Sequence, residues 1–155
     1  MKLTQKLVYV LLTSFSVAMI LGAWGFEFIG EMPPCKLCYY QRYPHWLAAG
    51  AGLLAIVTGF GLLAYLAAAG AAVSGLVGLY HTGVERKWWE GPSTCTSSDI
   101  SNMSADDLFN QIMSAPLVRC DEIPWELFGL SMANYNALLS LGAASLWIYA
   151  IKKLS

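Results

Sequence analysis

Polar residues divide this chain into long apolar runs. Lys2 and Lys6 precede an uncharged run from Leu7 to Phe26. Tyr43 to Val84 contains no Lys, Arg, Asp or Glu, and neither does Leu127 to Ile151, which Lys152 and Lys153 close. A bilayer-spanning helix needs about 20 apolar residues, so the first and last runs each fit one span. The middle run, 42 residues long, would be roughly 60 Å as a single helix, about twice the hydrocarbon thickness. It therefore reads as two spans, reversing at Thr58-Gly59-Phe60-Gly61, where glycine permits a tight turn. The pattern predicts an all-α membrane protein, a four-transmembrane-helix bundle in a single integral membrane domain over 1–155. The expected spans are about 5–28, 40–58, 62–82 and 130–151, with outer loops at about 29–39 and 83–129.

Finer periodicities fill in this plan. Helices 2 and 3 are rich in small residues, and in helix 3 Ala67, Ala71 and Gly75 recur every fourth position, as do Gly70, Ser74 and Gly78. Small residues at that spacing let helices approach closely in lipid. Pro44 falls inside helix 2, where it kinks the helix or starts its deeply buried part. Within the second loop, Ser104 to Met113 reads as a short amphipathic helix: Ser104 caps it, Asp106 and Asp107 suit its first turn, and Leu108, Phe109, Ile112 and Met113 share a face. That face suits the bilayer surface better than a partner protein. Trp88, Trp89 and Trp125 at the loop ends fit the membrane interface.

Composition agrees, at 57% hydrophobic and 12% charged, and a net charge of -1 gives no basic footprint for nucleic acid. The distribution of charge sets orientation. The ends carry Lys2, Lys6, Lys152 and Lys153, whereas Val84 to Leu127 carries three bases and eight acids. Positive residues mark the cytoplasmic side, which predicts cytoplasmic termini and cysteine loops on the outer face. The turn at 58–61 carries no Lys or Arg, so this orientation rests on the termini. A cleaved signal peptide is the alternative for residues 1–26, but the apolar run exceeds the usual length of about 7–15 residues and no A-x-A site follows.

The chemistry lies in four cysteines. Cys35 and Cys38 form a C-x-x-C after Pro33-Pro34, where the chain leaves the first span, and Cys95 and Cys120 lie in the long polar loop. Outside the membrane such thiols meet an oxidising space. A zinc site, two inert disulfides and a redox relay compete. Zinc prefers two closely spaced pairs, and Cys95 and Cys120 are 25 apart; no metal is expected. C-x-x-C closes too small a ring to stabilise a fold much, but it is the spacing at which a disulfide opens and closes readily. Cys35 near the start of helix 2 has a helix dipole favouring thiolate, and Lys36 and Arg42 add positive charge. Arg42 follows Cys38 by four, on one helical face, placed to hydrogen-bond a carbonyl of a flat lipophilic oxidant; snorkelling is its bland alternative. Gly91 to Ser98 around Cys95 is small and polar, which predicts a sulfur open to an incoming protein thiolate. His81, at the outer end of helix 3, is a candidate for cofactor or proton handling, and His45, beside Pro44, a weaker one; each could equally be an ordinary interface or core residue.

At these residues the chain resembles the DsbB family, quinone-dependent thiol oxidases of the bacterial inner membrane. The resemblance rests on Pro34-Cys35-Lys36-Leu37-Cys38-Tyr39-Tyr40-Gln41-Arg42, on Tyr80-His81-Thr82, on the loop cysteines, and on Trp125 to Met132 after Cys120. It covers essentially the whole chain, and the combination is far more specific than C-x-x-C alone. It implies that a Cys95–Cys120 disulfide oxidises a periplasmic dithiol protein of DsbA type, with Cys95 forming the mixed disulfide. Cys120 then attacks Cys35, and Cys38 passes electrons to a membrane quinone, ubiquinone or menaquinone, with Arg42 and His81 near the ring. It also implies multi-pass insertion among membrane lipid, contact with the quinone pool, and periplasmic loops that sustain oxidative folding. A partner of DsbA type is itself a strong oxidant, so only a more oxidising acceptor drives the relay forward. Gln41 stands where some members carry an acid. A vitamin K epoxide reductase-like enzyme shares the bundle and relay, but there the loop pair precedes the C-x-x-C. A non-catalytic scaffold braced by disulfides, or an oxidase dedicated to one substrate, are the other readings.

Overall fold

The computed structural model describes residues 2–93, 95, 104, 106, 109, 113 and 118–154. Four long helices run through it: α1 (Leu3–Trp24), α2 (Lys36–Thr58), α3 (Gly61–Glu85) and α4 (Met132–Lys153). A π-helical turn, Gly25–Ile29, extends α1 outward. These helices lie over the charge-free runs of the sequence. The α2/α3 reversal falls where glycine was expected: Gly59 caps α2 at φ +71° and its N–H donates to Ala55 O at 2.9 Å. Most of the helix expected over 104–113 lies outside the described residues.

A small antiparallel ladder adds to the expected all-helical plan. β1 (Glu126–Leu127) pairs with β2 (Leu130–Ser131) across Phe128 and Gly129, both at positive φ. The last helix therefore starts at Met132, just after the strand. Its cap is reciprocal: Ser131 Oγ accepts from Asn134 N–H while Asn134 Oδ1 accepts from Ser131 N–H.

The packing is built from small residues. Ala48, Ala64, Ala67 and Ala71 are fully buried, whereas Leu62 is 66% and Leu146 54% exposed. Small-inside and large-outside is the signature of helices whose solvent is lipid; in water so much exposed leucine would be an aggregation hazard. A Cβ on Gly70 would stand 2.8 Å from Pro44 O, and one on Gly78 would stand 3.0 Å from Ala137 N. The small-residue stripes are thus where α3 meets α2 and α4. Trp147 and Tyr9 fill the core toward the chain termini, their rings 4.8 Å apart. Leu3–Ile29 and Gly61–Glu85 are long and apolar enough to cross a membrane, with mean hydropathies of 2.0 and 1.9. Helix α1 packs chiefly on α2 and only lightly on α4, leaving a lateral cleft between α1 and α4.

Candidate active site

The cleft leads to the cysteines. Cys35 is the N-cap of α2 (φ −74°, ψ 173°), and its sulfur accepts from Cys38 N–H at 3.3 Å. The cap thus folds the sulfur back over the first turn, bringing the Cys35 and Cys38 sulfurs to 3.0 Å as free thiols. A thiol proton from Cys38 on Cys35 holds the Cys35 thiol down at about 5, against the upward push of burial and with further help from His81. The pair is therefore polarised: Cys35 carries the negative charge and Cys38 the proton.

The second pair is a disulfide, Cys95–Cys120. It does not stand open, as the polar sequence around Cys95 led us to expect. Cys95 is 1% exposed, packed with Cys120, Cys35, Leu37 and Val84 in one apolar cluster. The cause is local. Cys120 N–H donates to Cys95 O at 2.7 Å, and bonded sulfurs are apolar enough to bury. All four cysteines therefore meet where α2 begins and α3 ends.

His81 joins the pairs. Its Nε2 lies 3.6 Å from Cys35 Sγ and 3.2 Å from Cys120 O. Its Nδ1 lies 2.8 Å from Gln41 Nε2. One turn on, Glu85 reaches within 3.9 Å of the same ring, and its other oxygen accepts from Ser131 Oγ. His45 is separate from the sulfurs and lies deeper, its Nε2 3.1 Å from Asn136 Oδ1.

Arg42 faces the cleft. Its Nη1 donates to Glu27 Oε2 at 2.6 Å and its guanidinium lies 5.3 Å from the Tyr39 ring centroid. Arg119 forks onto Asp121 at 2.6 and 3.0 Å, holding that carboxyl below its usual range. Glu27, Glu85, Gln41 and Asn136 went unnoticed or unassigned in the sequence reading. Only Glu85 left a usable signal, as an acid one helical turn after His81.

A cavity of about 700 Å³ lies beside these groups, lined by Cys35, Cys38, Arg42, His45 and His81 and walled by α1 and α4. Cys35, Cys38 and His81 also offer three ligand atoms within 4.8 Å of one another. Tetrahedral zinc at about 2.3 Å per sulfur would hold two sulfurs about 3.8 Å apart. The observed 3.0 Å suits disulfide chemistry better.

Apolar helices with lipid-facing leucines and two juxtaposed cysteine pairs define a membrane protein of thiol–disulfide exchange. The chain belongs to the DsbB family: the model described as "Disulfide bond formation protein DsbB" matches residues 5–150. Disulfide bond formation by a membrane-helical oxidoreductase is its class of chemistry. Similar relatives include disulfide bond formation protein B of Shewanella loihica, 30% identical, covering 84% of this chain and 80% of that one. The same-named protein of Shewanella sp. (strain MR-4) is 25% identical, over 86% and 79%. An uncharacterized protein of Rickettsia prowazekii is 27% identical, over 88% and 81%. No solved structure matches.

Proposed function

We propose that this chain oxidises the dithiol of a periplasmic thioredoxin-like protein of DsbA type and passes the electrons through its two cysteine pairs to a membrane quinone. The observation that carries this reading is the shared cluster of Cys35, Cys95 and Cys120, with His81 touching both pairs. Sulfurs gathered in one cluster can exchange bonds without long loop travel.

The steps balance as follows. A partner thiolate attacks Cys95, and Cys120 leaves as thiolate. The partner's second thiol resolves the mixed disulfide, so the partner becomes oxidised and Cys95 and Cys120 reduced. The Cys120 thiolate attacks Cys35 of an oxidised Cys35–Cys38 pair and expels Cys38 as thiolate. The Cys95 thiolate then attacks the Cys120 sulfur and expels Cys35 as thiolate, restoring the loop disulfide and leaving the Cys35–Cys38 dithiol seen here. When bound, a quinone supplies the sink for two electrons and two protons that reoxidises this dithiol. The burial of Cys95 adds a requirement: the loop must open before a protein partner can reach the sulfur.

The cavity fits such a head group. Its volume is in the range of small-molecule sites, residues of α1 and α4 both line it, and Cys38 and Arg42 stand on its wall. Arg42 Nε is buried and has no partner among the described residues, and a buried donor without a partner is costly. Arg42 would hold a carbonyl oxygen, Cys38 would deliver electrons, and His81 would sit near the same pocket. Ubiquinone and menaquinone both satisfy these contacts.

The same reading gives four spans in one membrane domain. Helices α2 and α4 are 23 and 22 residues long and carry exposed Leu53, Val57, Leu138 and Leu146. Lys2, Lys6, Lys152 and Lys153 keep both termini in the cytoplasm of the bacterial inner membrane. The cysteine loops face the periplasm.

Purified protein in detergent, mixed with a reduced DsbA-type protein and a short-chain quinone, tests this by quinone absorbance. Reduction that vanishes in both Cys38→Ser and Cys95→Ser is expected. Reduction surviving both would remove the cysteines from the electron path.

A further inference from the structure

We infer that Gln41 and Asn136 are positioning residues that hold the His81 ring with its proton on Nε2, aimed at the Cys35 sulfur. The inference rests on a chain of buried hydrogen bonds joining α2, α3 and α4. Its consequence for turnover rests on the thiol-oxidase reading above; the tautomer itself does not.

A neutral imidazole has one donor and one acceptor nitrogen, and its partners decide which is which. Gln41 presents an amide to His81 Nδ1 at 2.8 Å. If the nitrogen of that amide faces the ring, Nδ1 must accept and Nε2 must carry the proton. The orientation of the amide is therefore the whole question, and it is over-determined. Gln41 Nε2 also lies 3.2 Å from Leu37 O, a backbone carbonyl that can only accept. Gln41 Oε1 in turn lies 2.9 Å from Asn136 Nδ2.

Asn136 is fixed the same way. Its Nδ2 faces Ser74 O at 3.1 Å, again an obligate acceptor. Its Oδ1 receives Ser140 Oγ at 3.0 Å and His45 Nε2 at 3.1 Å. Turning either amide would set oxygen against a carbonyl oxygen in a buried site, where an unmet polar group is expensive. The far end agrees: His81 Nε2 faces Cys120 O at 3.2 Å, and a bare nitrogen there would face a lone pair. Three backbone carbonyls on three parts of the chain thus impose one polarity on the network.

With Nε2–H fixed, the ring donates to Cys35 Sγ at 3.6 Å whatever its charge. His81 then steadies a Cys35 thiolate without itself having to be protonated. Other titratable or charged groups lining the same cavity are Cys38, Arg42 and His45 on α2, Glu85 on α3, and Glu31, Arg119 and Glu122 of the loops.

The test uses the full chain in detergent, labelled with ring-15N histidine, with His45→Phe assigning the two rings. Two-bond proton–nitrogen spectra report each ring nitrogen as protonated or bare. The expected result is a protonated Nε2 and bare Nδ1 on His81. A proton on Nδ1, or rapid averaging over both, overturns the proposal in the unmutated protein. Gln41→Leu removes the amide that faces Nδ1; averaging of the His81 signals and a few-fold slower alkylation of Cys35 at pH 6 are expected, the direction of a weakened hydrogen bond to a charged group. Both readouts unchanged in that variant would also overturn it. A proton on Nδ1 with intact quinone reduction refutes the positioning and spares the oxidase reading. The proton on Nε2 without quinone reduction does the reverse.

Discussion

Cys35 will react as a thiolate at neutral pH. An ordinary thiol at 9.0 is only about 1% ionised at pH 7, since each pH unit below its midpoint costs about tenfold. Held at about 5, Cys35 is about 99% ionised there, roughly a hundredfold gain in nucleophile. The dominant cause is the thiol of Cys38, so Cys38→Ala is the informative perturbation. It removes a hydrogen bond to a charged group, roughly 1.5–3 kcal/mol, and leaves His81 alone against the burial penalty. The thiolate fraction at pH 5 should then fall about ten- to hundredfold. The assay is alkylation by iodoacetamide, a reagent small enough for a sulfur that is 5% exposed, with Cys95–Cys120 intact and peptides read by mass spectrometry. The rate at Cys35 should be flat from pH 7 to 9 and fall tenfold per pH unit below about 5. Stability follows the same sign. The folded value lies below the unfolded one, so the folded protein binds fewer protons between them and gains stability as pH rises from about 5 to 9. A wild-type rate still climbing at pH 8, with its midpoint near 9, would refute the polarised pair.

Other outcomes follow from particular contacts. Arg42→Met should raise the KM for a short-chain quinone more than it lowers kcat, because it removes a binding donor from the cavity wall; an unchanged KM would place the ring elsewhere. Gly78→Val should lower the melting temperature in detergent by the equivalent of about 1–3 kcal/mol, since its Cβ would meet Ala137 N at 3.0 Å and Ala133 O at 3.1 Å, neither free to move. Ser131→Ala strips both the α4 cap and the hydroxyl on Glu85, and a thermal shift worth about 1–2 kcal/mol is expected. Arg119→Ala should leave the melting temperature unchanged, because its pairs with Asp121 and Glu122 lie at the surface.

What the sequence revealed and what it hid divide along a physical line. Helix positions were legible because lipid imposes long charge-free runs and glycine marks the reversal at Gly59. The cap role of Cys35 was nearly legible, since a thiol at the end of an apolar run must lie near a helix start. The polar network was not. Gln41 and His45 on α2, Ser74 on α3 and Asn136 on α4 are scattered polar residues in apolar helices, and nothing local says which will meet across helices. Their partners are 33 to 95 residues apart, set only when small residues such as Gly70 and Gly78 bring the backbones together. Glu27 was hidden for the same reason, its partner Arg42 lying across the α1/α2 interface. The error at Cys95 has a different origin. Polar flanking residues suggested an open sulfur, but its exposure is decided by the bond to Cys120 and by the apolar end of α3, which sequence spacing does not encode. In the proposed function, a relay whose entry sulfur is buried at rest must couple partner docking to loop opening. That reading therefore carries two tasks that the cysteine pattern alone merges: holding the two pairs in one cluster for exchange, and admitting the partner to it.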